Sequence, residues 1–262
     1  MTTNNFEVKT ENKTGFCKRH GKYEFDRVVV SIESRAKNNQ GNSCPTCAMA
    51  RDEMTAFQKD MAKRIKNSAL ELSGIPKRFQ SKTFMNFAAE NEGQKIALRK
   101  CQNYADNFRE MMASGRSMIF TGGTGTGKTH LANAIANQII ENGHTAYFAA
   151  VRKILTEVKS TWRASSAKSE GQVIDNLSKL DLLVIDEIGV QFDTDAEKMI
   201  LFDVINARYE SCKPTIILSN LAVTSETEAS IESILGERIM DRLRESGGVK
   251  IVFDWKSQRS QI

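Results

Sequence analysis

Apolar residues recur along this chain with two different rhythms, and each predicts a different kind of element. Between residues 51 and 72, Met54, Phe57, Met61, Ile65, Ala69 and Leu72 fall at three- and four-residue steps. Lys59, Lys63, Arg64 and Lys66 lie between them, the pattern of an amphipathic helix. Gly74 and Pro76 stop that helix, and the segment IPKRFQSKTFMNF reads as an ordered connector with aromatic anchors. From residue 93 the rhythm alternates. Apolar runs at 117–121, 145–151, 180–185, 215–219 and 249–253 predict strands. Helical spacing at 92–113, 128–142, 153–162, 171–177, 197–210 and 237–245 predicts the helices around them. The run at 180–185 is continuously apolar, as in a strand buried on both faces. Strands alternating with helices predict an α/β fold, a parallel sheet sandwiched by helices with right-handed connections. Residues 1–50 are polar, with Val28-Val29-Val30 as their one short apolar run. Three parts are therefore expected: an N-terminal module over 1–50, a helical linker over 51–92, and an α/β domain over 93–262.

Chemistry enters where the first strand of that domain ends. Gly122-Gly123-Thr124-Gly125-Thr126-Gly127-Lys128-Thr129 matches G-x-x-x-x-G-K-[ST] in full, with an apolar strand before it and a helix after it. Glycines let the backbone approach phosphate closely, and successive N–H groups form an anion nest at a helix N-terminus. Lys128 is expected to reach the β- and γ-phosphates of ATP, and the Thr129 hydroxyl is a hard oxygen ligand for Mg²⁺. His130 is counted with the cofactor-binding residues, with packing as its other role. About 57 residues on, the strand LLVI ends in Asp186-Glu187. Asp186 is expected in the Mg²⁺ shell, and Glu187 as the base that takes a proton from attacking water. Two acids ending a strand also suit a solvated turn, and the phosphate loop upstream favours the catalytic reading. Asn220, directly after the strand at 215–219, would orient water or touch the γ-phosphate. Arg238, Arg242 and Arg244 share one predicted helix. An arginine offered to a neighbouring subunit's nucleotide would stabilise transition-state charge.

A second constellation lies near the N-terminus. Cys17 and His20 form one pair and Cys44 and Cys47 another, each with a two-residue gap, and 23 residues separate the pairs. Three thiolates and one imidazole make a closed, structural Zn²⁺ site. A hairpin around residues 28–32 would bring the pairs together, and the metal would supply folding free energy to a segment too polar to fold by burial. Cys101 and Cys212 lack such partners and read as reduced, core or near-core thiols.

Composition excludes more than it selects. Hydrophobic residues are 40% and charged residues 26% of the 262, ordinary globular usage. No apolar run approaches the ~18–20 residues that span a bilayer, and the polar start MTTNNFEVKTENK does not read as a secretory signal. A cytoplasmic protein without a membrane partner is expected. A net charge of +5 permits a nucleic-acid partner without demanding one.

Taken together, GGTGTGKTHLANAIAN, LLVIDEIGVQ, the SN after a strand, LGERIMDRL and FDWKSQRSQI resemble the DnaC-type family of replicative helicase loaders, and more widely phage loaders and transposition helper ATPases. The likeness covers roughly residues 75–262. It implies a P-loop AAA+ core without the usual C-terminal helical lid, ATP hydrolysis, and loading of a hexameric replicative helicase onto single-stranded DNA. It also implies an arginine finger at Arg238, with the self-association such a finger needs, and a second sensor arginine at Arg259. Family members contact DNA near the helix RKILTEVKSTWR, where Lys159, Trp162 and Arg163 offer a stacking ring among cations, with Lys168 nearby. The cysteine pattern departs from enteric members and resembles phage-type loaders with an N-terminal zinc module, which becomes the candidate helicase-binding part. Two alternatives stand beside the loader: a transposition helper ATPase acting with a transposase, and an ATP-gated DNA-binding adaptor.

Overall fold

The computed structural model describes residues 7–31, 44–163, 165–189, 194–225 and 229–258. The chain divides into two compact units, residues 1–65 and 66–262.

In the first unit, β1 (Glu7–Cys17) and β2 (Gly21–Ser31) form an antiparallel hairpin in which Cys17 pairs with Gly21. The hairpin turn therefore sits at residues 18–20, inside the first Cys/His pair, rather than at 28–32. Gly21 has φ +78°, a conformation a side chain would resist, and this closes the turn early. Helix α1 (Pro45–Leu72) begins with proline at its first position, where no N–H is needed, and runs unbroken through residue 50. Met54, Phe57, Met61 and Ile65 stand exposed along it.

The second unit is built on a five-stranded sheet. Its strands are β3 (Met118–Gly122), β4 (Ala146–Ala150), β5 (Leu182–Ile188), β6 (Thr215–Ser219) and β7 (Val249–Phe253), in the order β4-β5-β6-β3-β7. Every pairing is parallel. The strand period of two divides the buried residues between two cores. Met118 and Phe120, Leu182 and Val184, and Ile216 and Leu218 join one, against α2 (Glu92–Asp106), α3 (Phe108–Ala113) and α4 (Lys128–Glu141). Ile119, Leu183, Ile185 and Ile217 join the other. That second core is completed by α5 (Val151–Ser160), α6 (Glu170–Lys179), α7 (Asp195–Glu210), α8 (Ile231–Leu235) and α9 (Glu237–Glu245). The sandwiched parallel sheet expected from the sequence is the fold observed. Among the described residues no helix follows β7 and none is long and apolar enough to cross a membrane.

Three local departures have physical causes. The helix expected over 92–113 breaks at Asn107, whose side chain donates to the Asn103 carbonyl and so competes with the helical ladder. Val151, read as the end of a strand, starts α5, where it is buried with Ile154, Leu155 and Val158. Helix α8 was not anticipated; it is one turn fixed by a reciprocal Ser230–Ser233 cap. Cys101 is fully buried as expected, whereas Cys212 is exposed, in a left-handed turn after α7.

Arg208 is the largest fully buried side chain among the described residues. Its guanidinium donates to the carbonyls of Leu177 (2.5 Å), Leu180 (2.9 Å) and Pro214 (2.6 Å) and to Thr215 Oγ1 (3.0 Å). It thus satisfies carbonyls left over at the end of α6 and the entry to β6. Arg208→Met should lower stability by about 3–5 kcal/mol, because several buried carbonyls lose their donor at once. The check is urea unfolding; an unshifted midpoint would remove this clamp from the fold.

Candidate functional site

All the predicted nucleotide-site residues from 122 to 220 lie at the carboxyl ends of adjacent strands. This is the edge where open α/β sheets bind ligands. The loop after β3 packs so closely that two glycines are required. A Cβ on Gly122, at φ +137°, would sit 2.2 Å from the Phe253 carbonyl oxygen. One on Gly127, at φ +98°, would meet the Phe87 ring at 2.6 Å. Thr126 is buried and donates to Gly123 O at 2.8 Å, folding the loop on itself; Thr124 and Gly125 form its outer bend.

Lys128 opens α4 and is buried, with its ammonium 2.7 Å from Gly122 O, 2.8 Å from Gly123 O and 2.8 Å from Asn220 Oδ1. The sequence-predicted lysine and polar amide, 92 positions apart, are therefore in direct contact. Thr129 Oγ1 donates to Asp186 Oδ2 at 3.1 Å. Burial raises the Asp186 carboxyl above its ordinary pKa, opposed by the bonds from the Glu187 N–H and Thr129 and by the Lys128 charge. A hydroxyl and a half-buried carboxylate held together, with charging disfavoured, make a donor set that fits a hard divalent cation. Glu187 follows on the strand with φ +63°, a left-handed conformation costly for a residue with a side chain. Its N–H returns to Asp186 Oδ1 at 2.7 Å. Its carboxylate is exposed and makes no hydrogen bond or ion pair among the described residues. Ser219 holds the neighbourhood in register, donating to Ile188 O (2.5 Å) and accepting from Leu221 N (3.0 Å).

His130 is half-buried. Its Nε2 donates to Thr83 O at 2.9 Å, its ring stands edge-on to Phe87 at 5.2 Å, and burial lowers its pKa. It joins Asn86, Ala88, Trp255 and Gln258 in lining a cleft of about 560 Å³ beside the loop. The connector and the segment after β7 are thus part of the site's surroundings; the resemblance implied a residue of the latter, Arg259, at the site, whereas nothing in the sequence pointed to the connector.

The three arginines of α9 differ in their engagement. Arg242 lies over the rings of Phe202 (5.4 Å) and Tyr209 (5.3 Å), and Arg244 pairs with Glu232 at 2.8 Å. Arg238 is exposed and has no such partner among the described residues. Arg259 lies outside the described residues. Of the DNA-contact candidates, Lys159 is ion-paired with Glu197 at 2.6 Å, and Trp162 Nε1 donates to Glu170 at 2.6 Å while the residue stays 55% exposed. Arg163 and Lys168 are exposed.

In the N-terminal unit the four predicted ligands converge, with their ligand atoms all within 4.8 Å of one another. Cys17 Sγ lies 3.7 Å from Cys47 Sγ, and His20 Nδ1 lies 3.7, 3.6 and 3.3 Å from the sulfurs of Cys17, Cys44 and Cys47. A tetrahedral zinc with ~2.3 Å sulfur bonds sets its ligand atoms about 3.5–3.8 Å apart, so the residues fit that ion. The local sequence explains the geometry. Cys17 and His20 flank the hairpin turn, while Cys44 and Cys47 bracket the first turn of α1 and face the same side. Backbone hydrogen bonds lower the Cys17 and Cys44 thiols, and the neighbouring Cys17 raises Cys47. Crowding of thiolates is what a bound cation relieves.

Comparison with known proteins identifies the family and the fold. The DnaC replicative helicase loader of Escherichia coli K12 is 38% identical over 224 residues, covering 80% of this chain and 87% of that protein. The crystal structure of the DnaC helicase loader superposes with a TM-score of 0.59 at 24% identity, over 68% of this chain and 99% of that one. A replication initiator DnaA bound to AMPPCP and single-stranded DNA shares the fold at a TM-score of 0.55 and 18% identity, over 67% of this chain and 50% of that one. Residues 50–260 match the family described as IstB-like ATP binding protein, and the chain belongs to this IstB/DnaC family of ATP-binding proteins.

Proposed function

We propose that this protein is a Mg²⁺-dependent ATPase that loads a hexameric replicative helicase onto single-stranded DNA. The observation that carries the reading is the meeting of Lys128, Thr129, Asp186 and Asn220 at one sheet edge, with Glu187 unengaged beside them. The loop amides from Gly123 to Thr129 would cradle the phosphates and Lys128 would bridge the β- and γ-groups. The cleft beside His130 would receive the rest of the nucleotide. Thr129 and Asp186 would hold the magnesium ion, which when bound neutralises charge on the phosphoryl oxygens. Glu187 takes a proton from water as the water oxygen bonds to the γ-phosphorus and the bond to the β-phosphate oxygen breaks. Asn220 orients that water.

Arg238 serves a neighbouring copy's nucleotide, which makes hydrolysis depend on self-association on helicase or DNA. Its lack of partners supports this, since Arg242 and Arg244 are committed elsewhere. Arg238→Ala should leave ATP affinity unchanged and lower assembled-state turnover by about 10³-fold or more. A normal rate in the assembled state would take Arg238 out of that role.

The N-terminal zinc module over 1–50, with the exposed apolar positions of α1, grips the helicase; the linker over 51–92 leads to the ATPase domain over 93–262. Arg163, Lys168 and the Trp162 ring supply DNA contacts, and Lys159 joins them when phosphate displaces Glu197. Coexpression with the host's replicative helicase tests the loader reading. A stable stoichiometric complex is expected, whereas assembly only with a transposase on double-stranded DNA would favour the transposition helper.

A further inference from the structure

We infer that Trp255 and Gln258 are positioning residues of the phosphate loop. The inference rests on the reading of that loop as the ATP site and adds a component outside the phosphate-loop motif itself. Trp255 Nε1 donates to Thr126 O at 2.9 Å, and Gln258 N donates to Gly125 O at 2.9 Å. These are two successive carbonyls of the loop. The chain has no cis peptide bonds among its described residues, and in a trans peptide the carbonyl and the following N–H point in opposite directions. Pinning the carbonyls of Gly125 and Thr126 from one side therefore turns the N–H groups of Thr126 and Gly127 to the other. Those N–H groups are donors of the anion nest. A donor on each carbonyl also polarises the peptide and strengthens the opposite N–H.

The pins are themselves held. The Trp255 ring packs on Phe253 at 5.0 Å between centroids, and Gly93 lies so close that a Cβ there would stand 3.3 Å from its Cε3. Gln258 Nε2 donates to Ala88 O at 2.7 Å, which ties the same segment to the connector. Phe87 of that connector presses on Gly127 from nearby. The segment after β7 is in this way a brace, and it sets the loop's shape before an anion arrives. A preorganised nest loses less freedom on binding than a loose one.

The test uses the full chain and two ligands, Mg-ATP and inorganic tripolyphosphate. Trp255→Phe keeps a ring on Phe253 and removes the N–H. It should weaken both ligands alike, by about fivefold to twentyfold, with the thermal midpoint little changed. Parental affinity in Trp255→Phe, with binding lost in Lys128→Ala, would overturn the brace and leave the site standing. Parental affinity in Lys128→Ala as well would bring down the site reading itself. Loss of ATP affinity alone, with tripolyphosphate unaffected, would also refute the brace, because the loop's amides meet phosphate in both. A second measurement needs no change at the site. The chain has two tryptophans, so Trp162→Phe leaves Trp255 as the only one. Its emission should then shift with the same concentration dependence as Mg-ATP binding; an unresponsive signal at saturation would contradict the contact.

Discussion

Replacing Glu187 by glutamine should cut ATP turnover by about 10²–10⁴-fold while nucleotide affinity stays unchanged. The substitution preserves size and the backbone, including the left-handed φ of +63° that swings this residue away from its neighbour's path. It removes only the ability to take a proton. Asp186, one position earlier, is half-buried and bonded to Thr129, and on the proposed reading it would hold the cation and leave proton abstraction to Glu187. On that reading the two adjacent acids would divide binding from chemistry by environment, one half-buried and one facing water. Phosphate release and nucleotide titration on one preparation check both halves of the expectation. Retained turnover would place the base elsewhere. Retained DNA and helicase activity with turnover abolished would make the protein an ATP-gated adaptor.

The second large effect is expected at the four-ligand cluster. Chelation, or Cys44→Ser, should unfold the N-terminal unit and spare nucleotide binding in the second. Structural zinc contributes about 10–16 kcal/mol at neutral pH, comparable to or larger than the whole stability of a typical small domain. What remains without it is a two-stranded hairpin, marginal in water, joined to a helix whose Met54, Phe57, Met61 and Ile65 are exposed. Cys44 is the most enclosed of the four ligands, and its serine variant substitutes a poor ligand for a thiolate. Metal analysis should give one zinc per chain in the parent and none in the variant. Hydrogen exchange should show protection lost over β1, β2 and the start of α1 only. Full metal content in the variant would refute the four-ligand site. Acid should release the metal, since protons compete for the thiolates.

What the sequence made legible follows from how locally each feature is specified. The phosphate loop was readable because its signature lies in eight consecutive residues, although distant segments help to hold its shape. Asp186 and Glu187 were readable because a strand buried on both faces must end at the ligand-binding edge. The Cys/His pairs were readable because a two-residue gap on a turn, or on the first turn of a helix, aims both side chains together. The interactions that escaped are those between distant segments with no shared period. Trp255 reaches Thr126 from 129 positions away, and Lys159 meets Glu197 across 38. Arg208 carries no local sequence signal; it is buried because carbonyls from three separate places accept its hydrogen bonds. Asn107 and Val151 misled for the opposite reason. The local pattern ran on, and a side chain's competing hydrogen bond or burial on another face ended the element.

The central claim is that backbone amides and Lys128 hold the triphosphate at the carboxyl edge of this sheet. Calorimetric titration of Mg-ATP into the parent chain and into Lys128→Ala measures it most directly. Saturable binding in the parent, weakened by about 10²-fold or more in the variant through loss of charge-assisted phosphate contacts, is the predicted result. Equal affinity in the two proteins would contradict it.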